Sequence, residues 1–418
     1  VTNGAAAAIV SDQPGSFAWG VWNKRHPILI KQIRDAYPYP AEIQRALEAL
    51  LQETISGDIE RLPPDAHDHA LWQDWDRGWY GGSWLSAPFL WAESYFYRRL
   101  LEAVGYFRPG PWHGVDPFGP AKQAELTTPV VASELAALDD VAAMPLAAQR
   151  RALLAAALWG NRADLGFRIT ASPEGPATDL VADDSARIWS LLDAARGSGA
   201  AGSPEPTGLP APAASPTPTG LPAPTGPTGP TVHIITDNAG RELLADLILV
   251  DHLLTTGTAT RVVLHVKPQP YYVSDATGSD VAAVLRRIIA APGTAATTGN
   301  RLWKALTDGT ITLRTHAFWC APLSFRHLPP DLAADLSPAT LTILKGDLNY
   351  RRLIGDRAWP PTTPFAELTA YFPSPVAALR TLKSDVAVGL TPETVAKLDA
   401  TGSPWRTSGE HALIQMRP

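Results

Sequence analysis

A single cysteine, Cys320, among 418 residues has no second thiol to pair with. No disulfide can close within the chain, and nothing implies an oxidising compartment. Long apolar runs are missing too: nowhere do the roughly 20 consecutive apolar residues of a bilayer-crossing helix occur. Residues Val1–Val10 contain an alanine run but neither a basic segment nor the hydrophobic length of a secretory signal. The expected placement is cytoplasmic. Positive charge is not in excess either, since Lys+Arg 35 against Asp+Glu 41 gives a formal net charge of −6. That balance argues against a protein that coats nucleic acid or an anionic membrane. Paired histidines and CxxC spacings of structural zinc sites are also absent.

Proline is abundant and unevenly placed. Of the 40 prolines, ten lie between Pro204 and Pro230, where TGLPAP occurs at Thr207–Pro212 and again at Thr219–Pro224. Proline removes backbone donors and glycine adds chain entropy, so this stretch can join neither helix nor sheet. It is expected to be an extended connector or surface loop. The chain then divides into a mainly helical part (1–202), the connector (203–230) and an α/β catalytic part (231–418).

Apolar periodicity supports that division. Helical spacing runs through Glu42–Ile55, Trp84–Val104, Pro145–Trp159 and Asp183–Ala195. The tryptophans at Trp72, Trp75, Trp79, Trp84 and Trp91 are better explained by packing than by ligand stacking. After the connector the period changes. Strands are predicted at Val232–Thr236, Arg261–Val266, Thr310–His316, Thr340–Leu344 and finally Val386–Gly389, with helices at Ala239–Leu254 and Asp280–Ala290. Strands alternating with helices predict a three-layer α/β/α fold with a mostly parallel, doubly wound sheet, preceded by a helical subdomain.

In such sheets, ligands bind beyond the carboxyl ends of the strands. Asp237-Asn238 follows the first predicted strand, Lys267-Pro268 and Ser274-Asp275 the second, and Lys345-Gly346-Asp347 the fourth. Lys383 and Asp385 fit less well, because they precede their strand. Asp237 alone is equally a helix N-cap. Together, Asp237, Asn238 and Asp275 offer three hard oxygen ligands suited to Mg²⁺ or Mn²⁺. Arg351 and Arg352 could clamp a phosphate or simply pair with Asp356. A metal beside lysines and an arginine is what phosphoryl chemistry requires.

At these residues the sequence resembles the damage-control phosphatase family (domain of unknown function 89), in its acidic-residue methyltransferase-like branch. The segments that carry the resemblance are DNAGRELLADL (Asp237–Leu247), VVLHVKPQPYYVSDAT (Val262–Thr277), FWCAPLSF (Phe318–Phe325), KGDLNYRRLIGD (Lys345–Asp356) and LKSDVAVGL (Leu382–Leu390). WLSAPFLWAESYFYRRL (Trp84–Leu100) and DPFGPAK (Asp116–Lys122) extend it into the first half. The resemblance implies Asp237, Asn238 and Asp275 as ligands of a divalent metal (Mn, Mg, Co or Ni). It implies substrate binding by Glu242, Asp347, Leu348, Asn349, Tyr350, Arg351 and Lys383, with Glu93 and Lys345 as further candidates. Glu93 is equally a buried partner for Arg98 or Arg99. Expected substrates are small phosphate esters, sugar phosphates such as fructose 1-phosphate or fructose 6-phosphate, with no nucleic-acid or membrane partner.

The competing activity is S-adenosylmethionine-dependent methylation of protein glutamates. The turn after the first strand offers only Gly240, where a nucleotide-binding loop needs several glycines, and carboxyl methylation requires no metal. A non-catalytic binding protein would leave the whole polar set idle. The Asp-x-Asp pair of aspartyl-phosphate phosphatases is missing, because Asp237 is followed by Asn238 and Ala239.

Overall fold

The computed structural model describes residues 6–160, 180–199 and 229–418; most of the 203–230 connector lies outside them. Seven strands, β1 (Leu180–Asp183), β2 (Thr231–Ile235), β3 (Arg261–His265), β4 (Ile311–Arg314), β5 (Leu341–Lys345), β6 (Val376–Thr381) and β7 (Ala412–Arg417), form one sheet. Their order is β1-β7-β6-β5-β2-β3-β4. From β2 to β6 every pairing is parallel, whereas β7 runs antiparallel to β6 and β1 lies parallel to β7. The expected mostly parallel α/β sheet with a helical N-terminal region is what the chain adopts. β1 precedes the connector in sequence yet belongs to the sheet.

The central strands are buried along most of their length because both faces are covered. On one face the helix Gly240–Thr255 buries Leu243, Leu247 and Val250 together with Leu153, Leu154 and Leu158 of the helix Leu146–Trp159. On the other, Phe318, Trp319, Phe325, Leu353, Phe365 and Phe372 form a second core around Ile235 and Leu344. A third, aromatic-rich core lies in the first half, along the helix Phe89–Ala103. There Trp72 packs edge-on against Trp75 and Trp91, and Trp84 stacks on Tyr95, so these tryptophans pack on neighbouring rings.

The strand expected at Val386–Gly389 does not form. That segment is irregular and is held by side chains: Gln415 Nε2 donates to Val388 O at 2.7 Å, and Val388 N to the Tyr350 hydroxyl at 3.3 Å. Its apolar residues are buried, which imitates a strand's composition without a strand's pairing. The actual strands there, VAALRT (β6) and ALIQMR (β7), carry alanines and arginines where β-branched residues are expected. Because β6 ends at Thr381, Lys383 follows a parallel strand after all and stands at the ligand-binding edge.

Arg352 turns into the core and is wholly buried. It donates to Leu323 O (2.8 Å), Trp319 O (3.0 Å) and Phe318 O (2.8 Å), with Phe318 and Phe325 against its guanidinium. It therefore pins the irregular 317–325 segment to the helix Gly346–Ile354 and is not available to clamp a phosphate. Replacing it by Met strands the carbonyls of Leu323 and Trp319 at about 1–3 kcal/mol each, while Phe318 O keeps Ala321 N as its donor. Arg352→Met is expected to lower unfolding stability by about 3 kcal/mol or more, measured by urea denaturation.

Candidate active site

The parallel strands depart to one side of β2 as β3 and β4 and to the other as β5 and β6, so the β2–β5 boundary is where strand order reverses. A crevice beyond that boundary is the expected ligand site. Both strands end there on candidate residues. β2 runs into Asp237-Asn238 before the helix Gly240–Thr255, and β5 runs directly into the helix Gly346–Ile354.

Gly346 has φ +80, and a Cβ there would stand 1.8 Å from Asp237 Oδ2. Only glycine takes that backbone conformation freely and leaves room for the carboxylate. Behind the contact, Asn349 Nδ2 donates to Thr236 O at 3.0 Å and to Lys345 O at 2.8 Å, tying the two strand ends together.

Asp275 reaches the same place through an irregular strip laid between the ends of β2 and β3. Ala239 N donates to Ser274 O (2.6 Å), Ala276 N to Asp237 O (2.8 Å) and Lys267 N to Ala276 O (2.9 Å). Asn238 and Asp275 pair as an isolated antiparallel bridge. Asn238 Nδ2 donates to Asp237 Oδ2 (2.9 Å) and Glu242 Oε2 (2.8 Å), while Ser274 Oγ donates to Asn238 Oδ1 at 2.5 Å. Tyr272 N donates to Asp275 Oδ2 at 2.6 Å, leaving the other carboxylate oxygen for a ligand. Thus Asp237, Asn238, Glu242 and Asp275 come together.

Burial, then Glu242 and Asp275 nearby, push the Asp237 carboxyl well above the ordinary aspartate range, against the pull of Lys267 and Lys383. Crowded, buried negative charge of this kind suits a divalent cation, and the donor set of two carboxylates and an amide oxygen fits a hard one.

The other candidates are distributed around this centre. Lys345 is buried and committed to Glu242 (3.1 Å), Asp246 (2.8 Å) and Ala157 O (2.6 Å). Asp347 accepts from Arg380 Nε (2.7 Å) and Ser384 Oγ (3.0 Å). Burial works against its ionisation, but Arg380 and Arg351 outweigh that and hold it below the usual range. Leu348 joins Leu90, Tyr271 and Cys320 in a small apolar cluster. The Tyr350 hydroxyl donates to Gln415 of β7 at 2.8 Å, away from the acidic centre. Arg351 pairs with Asp356 through Nε (2.8 Å) and Nη2 (2.9 Å), and its Nη1 meets Glu93 at 3.3 Å. Glu93 therefore does reach the second half, whereas Arg98 and Arg99 are taken by Asp68 and Glu53. Burial raises the Glu93 carboxyl, while Arg351 and then Arg25 oppose the rise. Lys383 is half-buried, with its charge felt at Asp237.

Two contributors escaped sequence reasoning, and a third, Lys267, stood out there only as a polar strand end with no role assigned. Lys122, in the quoted DPFGPAK, donates to Asp275 O at 2.8 Å and pairs with Asp116 (2.9 Å) and Asp280 (3.1 Å), so it anchors the loop that carries Asp275. Glu125 sits where a Cβ on Gly240 would meet its Oε2 at 1.8 Å. Lys267 is buried at the end of β3. Each stands in or beside a recognisable motif, yet only folding shows what it touches.

A separate group could also hold a metal ion. His233 on β2, His265 on β3 and Asp335 present ligand atoms within 4.8 Å of one another. His233 Nδ1 and His265 Nε2 are 2.9 Å apart, and Asp335 pairs with Arg314.

Comparison with known proteins bears on the whole arrangement. The model of the damage-control phosphatase ARMT1-like domain matches residues 21–398. Damage-control phosphatase ARMT1 of Danio rerio is 32% identical over 357 residues, 80% of this chain and 74% of that protein. Those of Mus musculus and Homo sapiens are 30% and 29% identical, each over 79% of this chain and 74% and 75% of their own length. A DUF89 family protein of Pyrococcus horikoshii superposes over 96% of this chain and 98% of its own at a TM-score of 0.48 and 13% identity, too distant to add to the assignment. Among the described residues, no helix is long and apolar enough to cross a membrane.

Two outcomes follow from this geometry. Gly346→Ala is expected to abolish Mn²⁺ binding, read by calorimetry, because the Cβ and the Asp237 carboxylate claim one volume. A divalent ion bound there would compete with the proton that the raised Asp237 carboxyl favours, so Mn²⁺ affinity should climb with pH and binding should release protons. Calorimetry in buffers of different ionisation heat measures that release.

Proposed function

Because the chain belongs to the damage-control phosphatase ARMT1-like family, we propose that it is a metal-dependent phosphomonoester hydrolase acting on small sugar phosphates such as fructose 1-phosphate or fructose 6-phosphate. The observation that carries this is the grouping of buried Asp237 and Asp275 with half-buried Asn238 at the strand-order reversal, with Lys267 and Lys383 near enough to act on Asp237. A divalent ion held by those three would supply Lewis-acid activation of water and of the phosphoryl group.

The chain's own groups do the rest. Asp237 or Asp275 accepts a proton from the water that adds to phosphorus and passes it to the ester oxygen as the P–O bond breaks, so that the leaving group departs as the alcohol. Lys383 holds a phosphoryl oxygen. The helix Gly346–Ile354 begins against Asp237, and first-turn N–H groups of a helix have no partner within it, which favours an anion there. That is how the Asp347–Arg351 segment would bind substrate although the side chains of Asp347, Asn349 and Tyr350 are engaged elsewhere. Arg351 retains donors beyond those given to Asp356 and Glu93 and can reach the sugar or its phosphate. Glu93, from the first half, places a carboxylate beside it for sugar hydroxyls.

Phosphate release from a panel of sugar phosphates with Mn²⁺, Mg²⁺, Co²⁺ or Ni²⁺ tests the proposal. Metal-stimulated release is expected, and Asp237→Ala and Asp275→Ala should each abolish it while near-UV circular dichroism stays native. Absence of release from every ester would overturn the phosphatase assignment. Glutamate methylation that persists in chelator would replace it. Lys383→Ala should raise KM by about 10–100-fold through loss of a charge-assisted hydrogen bond.

A further inference from the structure

We propose that Lys267 is a phosphate-binding residue of this site, its ammonium donating to a phosphoryl oxygen of the bound ester. The proposal deepens the phosphatase assignment and rests on it for the identity of the ester.

Lys267 is 1% exposed, and its Nζ has no hydrogen-bond partner among the described residues. A buried ammonium without partners is unfavourable, so an unpaired one at a ligand-binding edge points to an occupant that the protein itself does not supply. Contrast Lys122 and Lys345, equally buried, each of which meets carboxylates at hydrogen-bonding distance.

Position supplies the second argument. Lys267 follows β3 and is locked by its backbone beside the metal-binding residues: Lys267 N donates to Ala276 O, and Ala276 N donates to Asp237 O. It also pairs with Thr277 in an isolated parallel bridge. The residue is thus the third rung of a short ladder that contains Asp237 and adjoins Asp275. Its Nζ stands 6.0 Å from the centre of the Tyr271 ring, and its charge acts on both Asp237 and Cys320. Within the protein, Asp237 is the carboxylate on which its charge acts. A divalent ion would take over that carboxylate and leave Lys267 facing whatever anion the metal recruits. An oxygen of the phosphate is the anion this chemistry provides, and a compact, strongly hydrated ammonium is well suited to it.

The alternative is that Lys267 merely balances the charge of Asp237 and Asp275. The two roles differ in what its removal does to the metal. A cation near a metal site opposes metal binding, so its loss leaves Mn²⁺ affinity unchanged or tighter if it serves the substrate. If it organises the carboxylates, Mn²⁺ affinity falls.

The test titrates inorganic phosphate, by calorimetry, into the full-length Mn²⁺-loaded protein, comparing wild type with Lys267→Met. Phosphate affinity is expected to drop at least about tenfold, with Mn²⁺ affinity measured on the same variant retained. Lys267→Gln is read in the same way should the methionine variant not fold. Unchanged phosphate affinity overturns the proposal, as does phosphate affinity lost together with Mn²⁺ affinity, or a wild type that binds no phosphate when loaded. Because the probe is phosphate and not turnover, failure to find a hydrolysable ester would count against the phosphatase assignment and leave this result standing.

Discussion

The carboxylate of Asp237 occupies the volume where a side chain at residue 346 would be, and the site is arranged around that exclusion. β2 and β5 lie side by side but send the chain in opposite directions, which opens a crevice at their carboxyl ends. Within that crevice the carboxylate from one strand end lies against the backbone of the other. Gly346 permits this twice over, through a positive φ that turns strand into helix without a loop and through the absence of a Cβ. Asn349 then holds the two strand ends in register from one turn further along.

What could be seen in advance follows the reach of the forces involved. β2, β3 and β5 are buried on both faces, so their apolar runs are conspicuous, and the polar residues that end them are easy to mark. Asp237, Asn238 and Asp275 stand out for that reason. β6 does not, because Arg380 within it pairs with Asp347 across the site and breaks the apolar pattern. Taking the buried segment 386–389 for a strand then made Lys383 look displaced. Ion-pair partners were legible only as open alternatives, Asp356 for Arg351 among them. Whether Arg351 faced a phosphate, Asp356 or the first-half Glu93 depends on contacts between residues as much as 258 positions apart, which no local spacing encodes. Motif resemblance supplied the grouping of residues that periodicity could not, but not their contacts.

The distribution of charge explains why buried cations so near one another have different fates. Glu242 and Asp246 both lie on the first turns of the helix after β2, and Lys345 beneath them is held by both. Without it the site would carry further buried negative charge, and part of any cation's binding energy would be lost to the wrong carboxylates. Lys122 does the same on the opposite flank, where it neutralises Asp116 and Asp280 while gripping the backbone of Asp275 and leaving that carboxylate free of it. The two lysines between them take up Glu242, Asp246, Asp116 and Asp280, so that Asp237 and Asp275 are left without an ion-pair partner among the described residues. Lys383 and Lys267 act on Asp237 without being paired to it. The proposed site for a divalent cation and a phosphate dianion would need that division, with some cations consumed in shaping the acidic centre and others held back for the substrate. It is costly in stability, since crowded carboxylates and an unpartnered ammonium are each unfavourable when buried, and such cost concentrates where function requires it.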